Sequence, residues 1–313
     1  MDKRLLWKRV LLECARLQKG SCVVVDGFRE QLDELEMLAS ECYVQGIYPI
    51  LKLSLSPQSL EYVAEMKAPE NLEARHLLSL IEGIDAWISV FGWQSEESKG
   101  KPRMYPPEYQ PSGKVFEKMG RKKVKFIMVT LPPPEGHPLA GVVRKAFECD
   151  YNKMRLLGRK LKDALKDSED VHIETEFGTN LHFYIKKARE YRYGSGGLED
   201  VSLRFEQGHL VDWKASKGSI LIDEFLERTK GTSDMFCEVC LGINEMVDSY
   251  VGLVNIDELR YGAADIAIGH NRPFGGSRTI PPIHWHFSLG KVSLSVEGKN
   301  LIRNGEIVSF LVK

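Results

Sequence analysis

The residues best suited to chemistry cluster between Cys237 and His286. His284 and His286 stand two apart in IHWHFSL, a segment that reads as a strand. Side chains at i and i+2 of a strand leave on the same face, so both imidazoles meet whatever lies over it. Asp265 opens the apolar run DIAIG, and Glu238 lies near the end of a helical pattern. One Glu, one Asp and two His are mixed nitrogen and oxygen donors of the kind that zinc, cobalt or manganese accept. A hydrogen-bonded histidine pair and a solvated carboxylate satisfy the same spacing, because no short signature such as HExxH fixes a geometry. Glu258, in the turn-like IDEL, is either a supporting or general-base carboxylate or an exposed turn residue.

The elements that must position these groups follow from the patterning. In the first half, buried apolar runs alternate with helical patterns. Cys22–Val25, Ile47–Leu53, Ala86–Val90 and Val124–Leu131 read as strands, and residues 32–44, 57–66 and 69–82 as helices. That alternation predicts a doubly wound α/β sheet domain. Residues 94–120 form a polar excursion, and one long helical pattern runs from Leu139 to Lys166. Beyond it the character changes to short alternating segments and hairpin signals. Glu206-Gln207-Gly208 lies between 201–205 and 209–215, and one helix spans about 219–229. The expected fold class is therefore α/β. An α/β sheet domain covers residues 1–168, and a β-rich α+β domain covers 169–313 and carries the site.

Composition excludes several classes. A chain of 313 residues, 43% hydrophobic and 28% charged, is ordinary globular protein of about two domains. A formal charge of −1 gives no electrostatic case for nucleic acid or an anionic membrane. No run of 18 apolar residues exists, and the N-terminal segment is amphipathic with no signal-peptide pattern. The six cysteines are scattered, and Cys14, Cys22 and Cys42 read as small buried hydrophobes. Cys237 and Cys240 form a lone CEVC, which on a helix would share one face and pack in the core. This usage fits a reducing, cytoplasmic setting. There is no GxGxxG after a first strand, no GxxxxGK[ST], no GxSxG elbow and no cysteine with a histidine nearby in sequence to activate it.

The order of segments resembles the aminopeptidase T family of metalloaminopeptidases. The pieces that carry the resemblance are QGIYPILKL, FIMVTLPPP, FGTNLHFYI, GLEDVSLRFEQGHLVDWKASKG, CEVCLGIN, IDELRYGAADIAIG and IHWHF. The resemblance implies a two-metal site in the C-terminal domain, a homodimer enclosing it, and removal of N-terminal residues from peptide substrates by activated water. Carried over position by position, it implies metal ligation by Glu238, Asp265, His284 and His286. Glu238 and His284 match the family pattern. Asp265 replaces a histidine and His286 an aspartate, an exchange that keeps one imidazole and one carboxylate. Arg272 takes the place of a tyrosine near the active site, which makes it, with Glu258, a candidate catalytic residue. The family's first metal-binding glutamate, expected between about Arg189 and Gly197, has no counterpart. One ion or two is therefore open. A catalytically silent dimeric binding or scaffold module is the alternative expectation.

Overall fold

The structure, a computed structural model, describes residues 2–54, 75–92, 113–166, 168, 170–175, 180–183, 202–216, 219–228, 234–251, 254–269, 284–308 and 311. The chain divides into two compact units, Met1–Arg144 and Lys145–Lys313.

In the first unit, α1 (Lys3–Arg9) runs into a π-helical turn at Val10–Cys14 and is followed by β1 (Cys22–Phe28). Then come α2 (Leu32–Val44), β2 (Tyr48–Ser54), α3 (Arg75–Leu80), β3 (Ala86–Phe91), α4 (Gly113–Lys122) and β4 (Lys125–Thr130). The four strands pair in the order β2-β1-β3-β4, all parallel. Parallel pairing buries both faces of a central strand, which is why β1 reads as an unbroken Val run: Val23, Val24 and Val25 have no exposed surface. The parallel sheet expected from the alternating pattern is present.

The single long helix expected over Leu139–Lys166 is two helices, α5 (Ala140–Ala146) and α6 (Tyr151–Leu165). Asp150 breaks the run. Its carboxylate accepts from the backbone N–H of Asn152 at 2.9 Å and Lys153 at 3.0 Å, the satisfied N-cap that starts a new helix. Leu157, Leu161 and Leu165 of α6 pack in one core with Val171, Ile173, Leu294 and Ile302. The helix thus belongs to the second unit, whereas the change in sequence character comes only after residue 168.

The second unit is built from antiparallel sheets. β5 (Val171–Glu174), β6 (Asn180–Phe183), β12 (Ser293–Val296), β13 (Lys299–Arg303) and β14 (Glu306–Ile307) form a five-stranded sheet ordered β14-β13-β12-β5-β6. β7 (Ser202–Glu206) and β8 (His209–Lys214) form the expected hairpin. Gln207 and Gly208 both take positive φ at its turn, 51° and 82°, the backbone that a tight two-residue hairpin loop requires. After α7 (Ser219–Arg228) come β9 (Phe236–Leu241), the short helix α8 (Val254–Asp257), β10 (Ala263–Gly269) and β11 (His284–Lys291). The last three strands form an antiparallel sheet ordered β11-β10-β9. No helix among the described residues is long and apolar enough to cross a membrane.

Candidate metal centre

Glu238 was expected on a helix, and it lies on strand β9 instead. Spacing of Cys237 and Cys240 suits a helix, but FCEVCL pairs edge to edge with β10 and the sheet decides its conformation. The strand assignment reverses the reading of its residues. Glu238 and Cys240, two apart, now share a face, and a bulge falls at Cys237, between Phe236 and Glu238.

Register builds the site across three strands. Ala267 of β10 stands opposite His286 on one side and Glu238 on the other. Asp265 stands opposite Ser288 and Cys240. One face of the sheet therefore carries Glu238, Cys240, Asp265, His286 and Ser288. The residues between them serve the other face, where Ile266, Ile268 and Phe287 are buried with Leu210 and Ile222, and Val239 and Trp285 pack against them. This apolar backing holds the polar face in register. Ala267 is the smallest residue in the middle row, between Glu238 and His286.

Glu258 reaches this face from the chain that follows α8. Its segment passes directly against the end of β9. A Cβ on Gly242 would fall 2.0 Å from the Arg260 carbonyl oxygen and 2.8 Å from that of Glu258, so only glycine permits the approach. Backbone bonds fix it: Asn244 donates to Leu259 O at 2.9 Å, and Gly242 donates to Ala263 O at 2.8 Å. Asn244 is in turn tied by its side-chain amide to Ala146 O at 2.9 Å. Far from an exposed turn residue, Glu258 is 5% exposed.

The result is a cluster of donors. A Cys240 sulfur, a Glu258 carboxylate oxygen and a His286 ring nitrogen all lie within 4.8 Å of one another. Glu238 joins them, its Oε1 accepting a hydrogen bond from the Cys240 thiol at 3.2 Å. Burial pushes the Cys240 thiol well up, and the charges of Glu238 and Glu258 push it further. Asp265 has no exposed surface, and no described donor meets either of its oxygens in good hydrogen-bonding geometry, Ser288 opposite it being the nearest candidate. Burial raises its carboxyl to about 7, with Asp257 adding to the effect and Ser288 and Arg260 opposing it. A buried carboxylate left in that state costs free energy unless a proton or a cation meets it.

These residues fit a metal ion. Sulfur, imidazole nitrogen and carboxylate oxygen are the three donor types of zinc sites, and the mutual spacing suits ligands sharing one ion. Of the residues expected from sequence, Glu238, Asp265 and His286 come together on one sheet face, with Glu258 over it. For His284 the structure gives its Cα opposite Gly269, one row further along. Arg272 lies outside the described residues, as does the stretch Arg189–Gly197. Cys240 was assigned to core packing and instead stands among the donors. The signal that would have found it is the i,i+2 pair Glu238/Cys240, the same spacing as His284/His286, once the segment is read as a strand.

The whole chain superposes on AmpT of Thermus thermophilus with a TM-score of 0.65 and 17% identity, over 98% of each chain. The fold is similar to that of AmpT. It also matches 2,5-dihydroxypyridine dioxygenase of Pseudomonas putida KT2440, with a TM-score of 0.64 and 11% identity, over 98% of this chain and 97% of that one. No protein-family model and no curated protein matches the sequence. Similarity to AmpT thus extends over both units, and at this identity it speaks for the fold alone. The two neighbours bear different names on one architecture, so the site must carry any argument about chemistry.

Proposed function

We propose that this protein is a metal-dependent aminopeptidase that removes N-terminal residues from peptides. The observation that carries the reading is the convergence of Cys240, Glu258 and His286 within 4.8 Å, on a fold similar to that of AmpT. These three residues would hold a divalent ion, zinc, cobalt or manganese, and Glu238 lies close enough to join them. Bound there, the ion would supply polarisation of a carbonyl and a lowered pKa for water. The chain's own residues do the rest. Asp265, with a carboxyl near neutrality, is suited to hold or release a proton on its buried oxygens at working pH. The apolar backing of Ile266, Ile268 and Phe287 keeps the polar face rigid. With this reading go peptide substrates, a homodimer, a contribution from Arg272 to substrate contact, and a reducing cytoplasmic setting.

The test is release of N-terminal residues from short peptides by metal-free protein resupplied with zinc, cobalt(II) or manganese(II). Glu258→Gln should abolish release while leaving the fold intact by circular dichroism. Binding of an ion without release from any peptide would overturn the peptidase reading. Binding of no ion at all would leave the dimeric scaffold in its place.

The equally close dioxygenase fold favours a second reading. Asp265, His284 and His286 supply one carboxylate and two imidazoles, the composition used by non-haem iron oxygenases. Oxygen uptake with iron(II) and a hydroxylated aromatic substrate, with no peptide cleavage, would select it.

A further inference from the structure

We infer that Cys240 binds the ion as a thiolate, making this a single-ion site with Cys240, Glu258 and His286 as ligands. The inference rests on the metal half of the proposed function and is independent of its peptidase half. Three features carry it.

The first is position. Cys240 is not beside the donors by sequence proximity alone, since Glu258 and His286 arrive from other elements and still fall within 4.8 Å of its sulfur. Glu238 Oε1 is 3.2 Å from the same sulfur. Sulfur and oxygen ligands on one tetrahedral zinc stand about 3.5 Å apart, from bond lengths of about 2.3 and 2.0 Å. The Cys240 sulfur therefore already stands near ligand-like distance from a carboxylate oxygen.

The second is charge. A thiolate, a carboxylate and a neutral imidazole carry two negative charges, which one divalent ion offsets. Without the ion, the thiol proton occupies that place, shared with Glu238. Ion binding breaks the S–H bond, forms a sulfur–metal bond and passes one proton to solvent.

The third is selectivity. Thiolate is a soft donor and favours zinc or cobalt(II), whereas magnesium, calcium and manganese(II) prefer oxygen. The sulfur thus narrows the expected ions to zinc or cobalt(II) and argues against manganese.

Cobalt(II) titration of the metal-free 313-residue chain tests this directly. A sulfur-to-cobalt charge-transfer absorption should grow in the near ultraviolet and saturate at one equivalent. Cys240→Ser should abolish it and lower zinc affinity by at least about 100-fold. Cys237→Ser, three residues away in the bulge, should retain it. Should Cys240→Ser fail to fold, X-ray absorption of the zinc-loaded wild type decides, with one sulfur neighbour expected at about 2.3 Å. Cobalt bound without the band, a zinc shell of nitrogen and oxygen alone, saturation at two equivalents, or no binding overturns the inference. A sulfur-bearing one-ion site with no peptide release leaves it standing and removes only the peptidase reading.

Discussion

Each unit of this protein threads a buried strand through the middle of a sheet, and each strand buries one aspartate. The two aspartates are treated in opposite ways. Asp26 of β1 meets Lys52 Nζ at 3.1 Å and accepts from the hydroxyls of Ser54 at 2.9 Å and Ser89 at 3.2 Å. Lys52 is itself held over the Trp87 ring, 5.8 Å from its centroid. Asp265 of β10 has no exposed surface and no described donor in hydrogen-bonding geometry on either oxygen, and Cys240 and Ser288 stand opposite it on the neighbouring strands. A satisfied buried charge holds its surroundings in one arrangement. An unsatisfied one is a cost that the fold retains where a ligand or a proton will meet it. The first unit's sheet is therefore read as structure and the second unit's as a site.

The largest expected effect separates the two aspartates by sign. Folding raises the Asp265 carboxyl from 3.8 to about 7, so the folded state binds its proton more tightly than the unfolded chain does. Metal-free protein should therefore be most stable, as far as this group goes, at and below about pH 4. It should lose stability as pH rises toward 7, by up to about 4 kcal/mol. Asp265→Asn should flatten that slope in denaturant titrations across the range, and saturating zinc should offset it in the wild type. An unchanged slope in Asp265→Asn would break the contrast.

Lys52→Met should act in the opposite direction, by leaving Asp26 without its cation. We expect a loss of about 3 kcal/mol at neutral pH, read from the urea midpoint, with zinc affinity unchanged. A smaller effect is expected from Gly242→Ala. Its methyl group would meet the Arg260 and Glu258 backbone, so the segment carrying Glu258 must move away. That should cost about 2 kcal/mol and lower zinc affinity with it. Stability lost with affinity intact would show that Glu258 is not a ligand. Asp150→Ala, which removes only the α6 cap, should cost about 1 kcal/mol and leave zinc affinity alone.

The same contrast explains what the sequence revealed. The parallel sheet was legible because each strand is a short apolar run between helical patterns, and Val23–Val25 can hardly be anything else. His286 and Asp265 were legible too, one by its i+2 partner and the other as the single charge in an apolar run. Glu258 was visible only as a carboxylate in a turn. Its burial depends on a glycine sixteen positions earlier, a relation set by tertiary contact. Cys240 was hidden by period. In FCEVCL the i,i+3 cysteines fit a helix and the i,i+2 pair fits a strand, and only pairing with β10 chooses between them. The break at Asp150 was missed for a related reason, since a capping aspartate inside a continuous amphipathic pattern looks like one more surface charge.

Anomalous diffraction at the zinc edge, from crystals of the zinc-loaded protein, reads the position of the ion outright. One strong peak per chain is expected, within bonding distance of the Cys240 sulfur, a Glu258 oxygen and a His286 nitrogen. No peak on that face of the β9–β10–β11 sheet, or a peak held by other residues, would contradict it.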